Sequence, residues 1–254
     1  LLSWRLGLDG ALLALVLTQL LWLVVGLPTW WRSPDFRRDM FRIGFDRDMM
    51  GRLAAFSLMS LSSALCAPIV NIAVRDHLAA RLGWEQVGYW QAVTRVSDAY
   101  LLFLTTAINV YYLPKLASIR EPRALRDEIR QAWRQLIPVA AALAMLVYLS
   151  RAWVTRLLFS ADFAAANALY GVQLFGDVIK IASFVLSYLM LAKAMVGLFV
   201  LSECVFAMSY LGLVFAFTAH FGLVGAVYAF AANYGLYLAF NLVVTRRYLG
   251  RMPS

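Results

Sequence analysis

The chain has 254 residues, of which 63% are hydrophobic and 15% charged, an apolar share well above the roughly 45–50% of soluble domains. That balance excludes a single water-soluble domain. The formal net charge is +9, and it collects in the connections between apolar runs, where it faces anionic lipid headgroups and calls for no nucleic-acid partner.

Seven apolar runs follow one another at 11–27, 53–74, 87–113, 136–159, 172–191, 196–219 and 222–244. Each suffices to cross ~30 Å of hydrocarbon as a helix, so the sequence predicts an all-α polytopic membrane bundle of about seven transmembrane helices. Alternate connections are rich in cations: 32–52, 115–134, Lys193 and 246–251 hold sixteen lysines and arginines, the opposite set five. Cytoplasmic connections carry the excess, which places Leu1 outside and Ser254 in the cytoplasm. The chain starts at Leu1 without a methionine, and no signal-peptide pattern precedes the first span. It is therefore expected to be the C-terminal part of a longer protein, with an odd number of spans before it.

After the first run, residues 29–52 form a charged connection containing Pro34, which reads as a cytoplasmic linker between two bundles. The second run carries Asn71 beside Pro68, expected to kink the helix and bond a neighbour. In the third, Gln91, Thr94, Arg95, Asp98, Thr105 and Asn109 recur at helical spacing and predict one polar face. Between the third and fourth, Arg123, Arg126, Arg130 and Arg134 alternate with Leu125, Ile129 and Trp133. That spacing predicts an amphipathic helix on the inner membrane surface, with Pro138 opening the next span.

The fifth run repeats the polar pattern with Gln173, Asp177, Lys180 and Ser187. Ionisable residues inside a span cost roughly 2.5–3.5 kcal/mol each on insertion scales and turn toward a bundle interior or a wet cavity. Arg95 and Asp98, and Asp177 and Lys180 in reversed order, enter at matched depth. The four are expected to line one hydrophilic cavity and to exchange partners within and between helices. The alternative is that each pair only neutralises its own helix. Glu203 in the sixth run is a lone carboxylate suited to carrying a proton or to bonding a neighbouring helix as a neutral acid.

In the last run Gly222, Gly225, Ala229 and Gly235 read as a close-packing surface, and Asn233 and Asn241 as interhelical bonds. Cys66 and Cys204 read as packing residues, and His77 and His220 as outer-boundary residues, with no metal-ligand spacing around any of them. A nucleotide-binding loop, a metal-ligand motif and a nucleophile elbow are all absent from the sequence. No cofactor is expected, and the available driving force is an ion gradient or the membrane potential.

Three blocks go beyond periodicity. Gly83-Trp84-Glu85 is followed by Gly88-Tyr89-Trp90-Gln91-Ala92-Val93, Arg95-Val96-Ser97-Asp98 and Tyr100-Leu101; Tyr111-Tyr112-Leu113-Pro114-Lys115-Leu116 closes the run; Gly176-Asp177-Val178-Ile179-Lys180-Ile181 lies further on. Together they make the chain resemble the Wzx-type bacterial polysaccharide flippases of the multidrug/oligosaccharidyl-lipid/polysaccharide exporter superfamily. The resemblance implies two six-helix lobes, with 1–28 the last helix of the N-terminal lobe, 29–52 the cytoplasmic linker and 53–254 the C-terminal lobe.

It also implies a translocase, not an enzyme, in the bacterial inner membrane. Its cargo would be an undecaprenyl-pyrophosphate-linked oligosaccharide, lipid III or an O-antigen unit, and its partners the bilayer and the glycan polymerase and chain-length proteins. On that reading Arg95 and Lys180 attract pyrophosphate or anionic sugars. Asp98 and Asp177 hold those cations and couple transport to protons, and Gln91, Asn109, Gln173, Tyr89 and Trp90 meet the sugars. Two other classes stand beside it: a cation-coupled small-solute or multidrug antiporter of the same superfamily, and a non-transporting scaffold of a polymerase complex.

Overall fold

Long uninterrupted helices are what apolar sequences adopt when hydrocarbon offers the backbone no partner, and the computed structural model consists of them. It describes residues 2–31, 47–159 and 161–251. The chain divides into two compact units, Leu1–Met50 and Gly51–Ser254. In the first, α1 (Leu2–Trp31) exposes Leu20, Leu21, Trp22, Leu23, Val24 and Val25 in succession, a surface suited to lipid. The middle of the expected linker, 32–46, lies outside the described residues; its two ends are helical.

α2 (Arg47–Leu82) carries Pro68 inside it, and Asn71 turns back to bond the Ala67 carbonyl of its own helix rather than a neighbour. A single residue, Gly83, joins α2 to α3 (Trp84–Ala107). Its φ of +89° lies in the region only glycine enters freely. α3 runs on through a π-helical turn, Ile108–Tyr112, into α4 (Leu113–Ser118). Pro114 explains the wide turn: its ring would collide with the carbonyl four residues back, and the Leu113 N–H reaches Ile108 instead.

α5 (Pro122–Leu158) is one helix of 37 residues containing Pro138. This corrects the expected division into a surface helix and a separate span. The apolar stripe is there, but it meets protein: Leu125 and Ile129 are buried with Leu116, Leu186 and Leu189. Trp133 Nε1 donates to the Ala182 carbonyl at 3.1 Å. A 3₁₀ segment, Ala161–Ala168, leads to α6 (Tyr170–Ala192), α7 (Val196–Phe221) and α8 (Val224–Arg251).

Among the described residues five helices are long and apolar enough to cross a membrane: Met49–Leu82, Pro122–Leu158, Tyr170–Ala192, Val196–Phe221 and Val224–Arg251. α3 falls short of that measure, since polar residues recur along it. α6 is the axis of the second unit, 61% buried over its most apolar window against at most 28% for the other four. It packs against α3, α4, α5 and α8, and α7 leans mainly on α8.

Close approach has identifiable causes. A side chain at Gly176 would strike the Phe230 ring, with the nearest atom at 2.6 Å, and the Ala231 backbone at 3.2 Å. Gly225 sits against the Phe217 carbonyl, and Gly222 turns α7 into α8 with φ +60°. Gly235 has open space around it, so the expected packing surface of α8 ends before it. Outward, α2 and α5 present Leu53, Phe56, Leu61, Leu146, Leu149 and Leu157 at half exposure or more, the surface a lipid solvent covers.

Two packed clusters bracket the second unit. One gathers Val74, Leu78, Val87, Val93, Tyr170, Leu174 and Val214 near the α2–α3 and α7–α8 turns. The other gathers Ile108, Leu116, Leu125, Leu186 and Leu189 around α4.

Candidate functional site

Above the first cluster the helices separate, and α2, α3, α6, α7 and α8 line a half-open cavity of about 630 Å³. α6 supplies the tightest stripe, Gln173, Asp177, Lys180, Phe184, Ser187 and Leu191. These recur at three and four residues and share one helical face. α3 contributes Trp90, Thr94, Asp98 and Thr105, α7 contributes Glu203, and α8 contributes Phe230, Asn233, Tyr234 and Tyr237.

Asp177 is fully buried. Tyr100 Oη donates to its Oδ2 at 2.8 Å and Gln173 Nε2 to its Oδ1 at 3.3 Å, with Ser97 and Lys180 close by. A buried carboxyl persists only with such partners. Lys180, half-buried one turn on, extends its ammonium between three rings, 5.8 Å from the centroid of Phe184, 5.9 Å from Phe230 and 5.7 Å from Tyr234. Ring faces stabilise a cation that has left water. On the opposite wall Ser63 Oγ donates to Glu203 Oε2 at 3.2 Å, tying α2 to α7.

Three residues of the lining each hold a side-chain atom that is buried and, among the described residues, without a partner: Trp90 Nε1, Gln173 Oε1 and Asn233 Oδ1. One is a donor and two are acceptors. A group left so is costly unless water or a ligand completes it.

The eight residues expected at the site do not all converge. Asp98, Asp177, Lys180, Gln173 and Glu203 line the cavity. Arg95 is exposed, stands outside the lining and makes no ion pair among the described residues, so the expected exchange of partners between Arg95 and Asp177 has no counterpart in this geometry. Gln91 is half-buried outside the lining. Asn109 lies in the π-turn and accepts a hydrogen bond from Tyr188 Oη at 2.8 Å. Tyr89, expected to meet sugars, donates instead to Glu85 of its own helix.

Sequence reasoning passed over Tyr100 as a partner of Asp177, Ser63 as a partner of Glu203, and the rings around Lys180. Phe230, Asn233, Tyr234 and Tyr237 do recur at helical spacing on α8, a signal that an apolar helix disguises as ordinary core. The cavity wall carries three carboxylates, Asp98, Asp177 and Glu203, against one ammonium, Lys180. Acidic side chains there outnumber basic ones.

Lys193 is a half-buried cation just after α6. Its Nζ donates to the Ile119 carbonyl. Burial, and then Arg120, pushes its ammonium below the usual lysine range.

Fold and site together define a multi-pass helical membrane protein whose second unit holds a polar, aromatic-walled cavity. The chain belongs to the family described as polysaccharide biosynthesis protein, whose model matches residues 8–168. Over 202 residues it is 35% identical to the lipid III flippase of Escherichia coli (strain K12) and to that of Shigella flexneri. Those alignments cover 79% of this chain and 49% of each relative, so the chain spans about half the length of the curated relatives it matches. No solved structure matches it.

Proposed function

We propose that this chain forms part of a flippase moving an undecaprenyl-pyrophosphate-linked oligosaccharide, lipid III or an O-antigen unit, across the bacterial inner membrane. The observation that carries this reading is a half-open cavity of mixed aromatic and polar lining in a chain 35% identical to two lipid III flippases. About 630 Å³ is the size of a small-ligand pocket, room for a few sugar rings and not for a lipid tail, which stays in hydrocarbon. No covalent bond changes, so the protein works as a translocase and not as an enzyme.

With Ser254 in the cytoplasm, the packed cluster of Val74, Leu78 and Val214 lies at the periplasmic end. Alternating access would then require the cavity to open to the cytoplasmic leaflet to take up cargo. Asp98, Asp177 and Glu203 are the carboxylates through which an ion gradient would act, and Lys180 the cation they balance. Gln173, Trp90 and Asn233 offer hydrogen bonds to sugar groups, with Gln91 and Asn109 at the margin and Arg95 free for the pyrophosphate outside the cavity. Glycan polymerase and chain-length proteins are the partners expected next in assembly.

The test is surface glycan in bacteria lacking their own lipid III flippase, with this chain expressed alone and joined to the N-terminal half of the Escherichia coli relative. Restoration by the joined protein supports the reading. A joined protein that inserts in the membrane and restores nothing overturns it.

The acidic excess of the cavity favours a second reading, a cation-coupled antiporter for small solutes or drugs. Acids beside aromatic rings are a common receptor for an organic cation. Raised drug tolerance in a sensitised strain, without glycan export, would select it.

A further inference from the structure

A second cavity, of about 330 Å³, shares no lining residue with the first and begins at the end of α3. It runs between the π-turn with α4 and the first half of α5. Ala107, Tyr111 and Lys115 line it from one side, four residues apart; Glu128, Gln131, Gln135 and Leu136 line it from the other. The two strips run antiparallel, and the groove is graded from end to end. At its polar end Lys115 Nζ and Glu128 Oε2 pair at 2.7 Å. At its apolar end are Ala107 and Leu136, and beyond them the exposed Phe103 and Val139 continue along α3 and α5. The length from Lys115 to Ala107 is roughly 12 Å, a phospholipid headgroup with its glycerol.

From this grading we infer that the groove binds one zwitterionic phospholipid, its phosphate on Lys115 and its ammonium on Glu128, with the acyl chains leaving over Ala107 and Leu136. Charge complementarity selects the headgroup. Lys115 and Glu128 already satisfy each other, so an incoming lipid keeps both matched only if it carries both charges two carbons apart, as phosphoethanolamine does. A purely anionic headgroup would meet Glu128 unpaired. Gln131 and Gln135 make no hydrogen bond among the described residues, and their amides are free for the ester and phosphate oxygens. The arginines of α5 do not compete, as Arg123, Arg126, Arg130 and Arg134 lie outside the lining, and Arg130 faces Asp127 at 3.5 Å.

The position also gives the lipid a consequence. The groove borders the π-turn, where Tyr112 Oη donates to the Val185 carbonyl of α6 at 3.0 Å and Asn109 receives Tyr188. A bound headgroup would brace the segment that links α3 to the central helix.

The test is native mass spectrometry of the detergent-purified chain titrated with phosphatidylethanolamine or phosphatidylglycerol, for wild type and for Ala107→Phe, Lys115→Met and Glu128→Gln. Expected is one retained phosphatidylethanolamine per chain, held about tenfold more tightly than phosphatidylglycerol, the worth of one charge-assisted contact. Ala107→Phe, which fills the groove and spares the ion pair, should abolish that adduct. Glu128→Gln, nearly isosteric, should erase the preference between the two lipids. Equal retention of both lipids by wild type, or an unchanged adduct in Ala107→Phe and Lys115→Met alike, overturns the inference.

Discussion

At Gly176 the central helix packs closely on α8, and replacing it with alanine tests whether the cavity wall is rigid. The added methyl would stand 2.6 Å from Phe230 Cδ1 and 2.9 Å from Cε1, with the Ala231 Cα at 3.2 Å. Contacts so short force the neighbours to move. The Phe230 ring is packed edge-on against Tyr234 at 4.8 Å and near Tyr210 at 6.4 Å, so moving it toward the cavity disturbs both contacts. Overpacking of this kind costs about 1–3 kcal/mol, and we expect Gly176→Ala to lose that much in a denaturing-detergent titration followed by circular dichroism. Phe230→Ala in the same chain opens the needed space. The double variant should then be about 1–2 kcal/mol more stable than the sum of the two single losses, a coupling expected of residues in contact. A loss below about 0.5 kcal/mol for Gly176→Ala, or strict additivity with Phe230→Ala, would refute the close packing of α6 on α8.

Tyr100→Phe removes the 2.8 Å donor to the buried Asp177 and should cost about 1–2 kcal/mol in the same titration; an unchanged midpoint would show that the hydroxyl is dispensable. Lys180→Met keeps the length of the side chain and its packing among Phe184, Phe230 and Tyr234 but removes the charge. In the joined protein it should lower glycan export about tenfold or more with insertion unchanged, the worth of one cation contact, and undiminished export would remove its proposed role. Cys66 on α2 and Cys204 on α7 interact directly, next to the Ser63–Glu203 bond. Copper-phenanthroline oxidation should therefore form an intramolecular disulfide, seen as a loss of two hydrogens in the intact mass and absent from Cys66→Ser; failure to form it would contradict the apposition of α2 and α7.

The helices were legible because each apolar run is long and the alternation of cation-rich connections marks its ends. The helix boundaries were not, since hydropathy reports where hydrocarbon begins, and α2 and α5 continue as helix well past it. Arginines at 123, 126, 130 and 134 gave the amphipathic pattern correctly but not its partner. A stripe of Leu125, Ile129 and Trp133 reads the same whether lipid or α6 covers it. The polar stripe of α6 was legible almost residue for residue, because Gln173, Lys180, Phe184 and Ser187 fall within a narrow arc. The stripe on α3 is broader. At about 100° per residue, Arg95 sits roughly a quarter-turn from the centre of the arc that Thr94, Asp98, Leu101 and Thr105 present to the cavity, on the edge that Leu102 lines one level along, and its own side chain falls outside the lining.

That quarter-turn changes the electrostatics of the unit. With Arg95 in the cavity, two cations and three acids would nearly balance, and an anionic cargo would find matching charge there. With Arg95 outside, Lys180 faces Asp98, Asp177 and Glu203 alone, and it is held by rings that contact the ammonium on several sides. A pyrophosphate entering this space would give up its water for a wall of acids, a cost that low local dielectric magnifies. An uncharged sugar faces no such cost. Its C–H faces can rest on Phe206, Tyr210 and Phe230, and small side-chain movements would bring Trp90 Nε1, Gln173 Oε1 and Asn233 Oδ1 within reach of its hydroxyls. In the flippase reading, then, this unit receives the sugars, and the anionic link to the lipid is handled by cations outside the cavity.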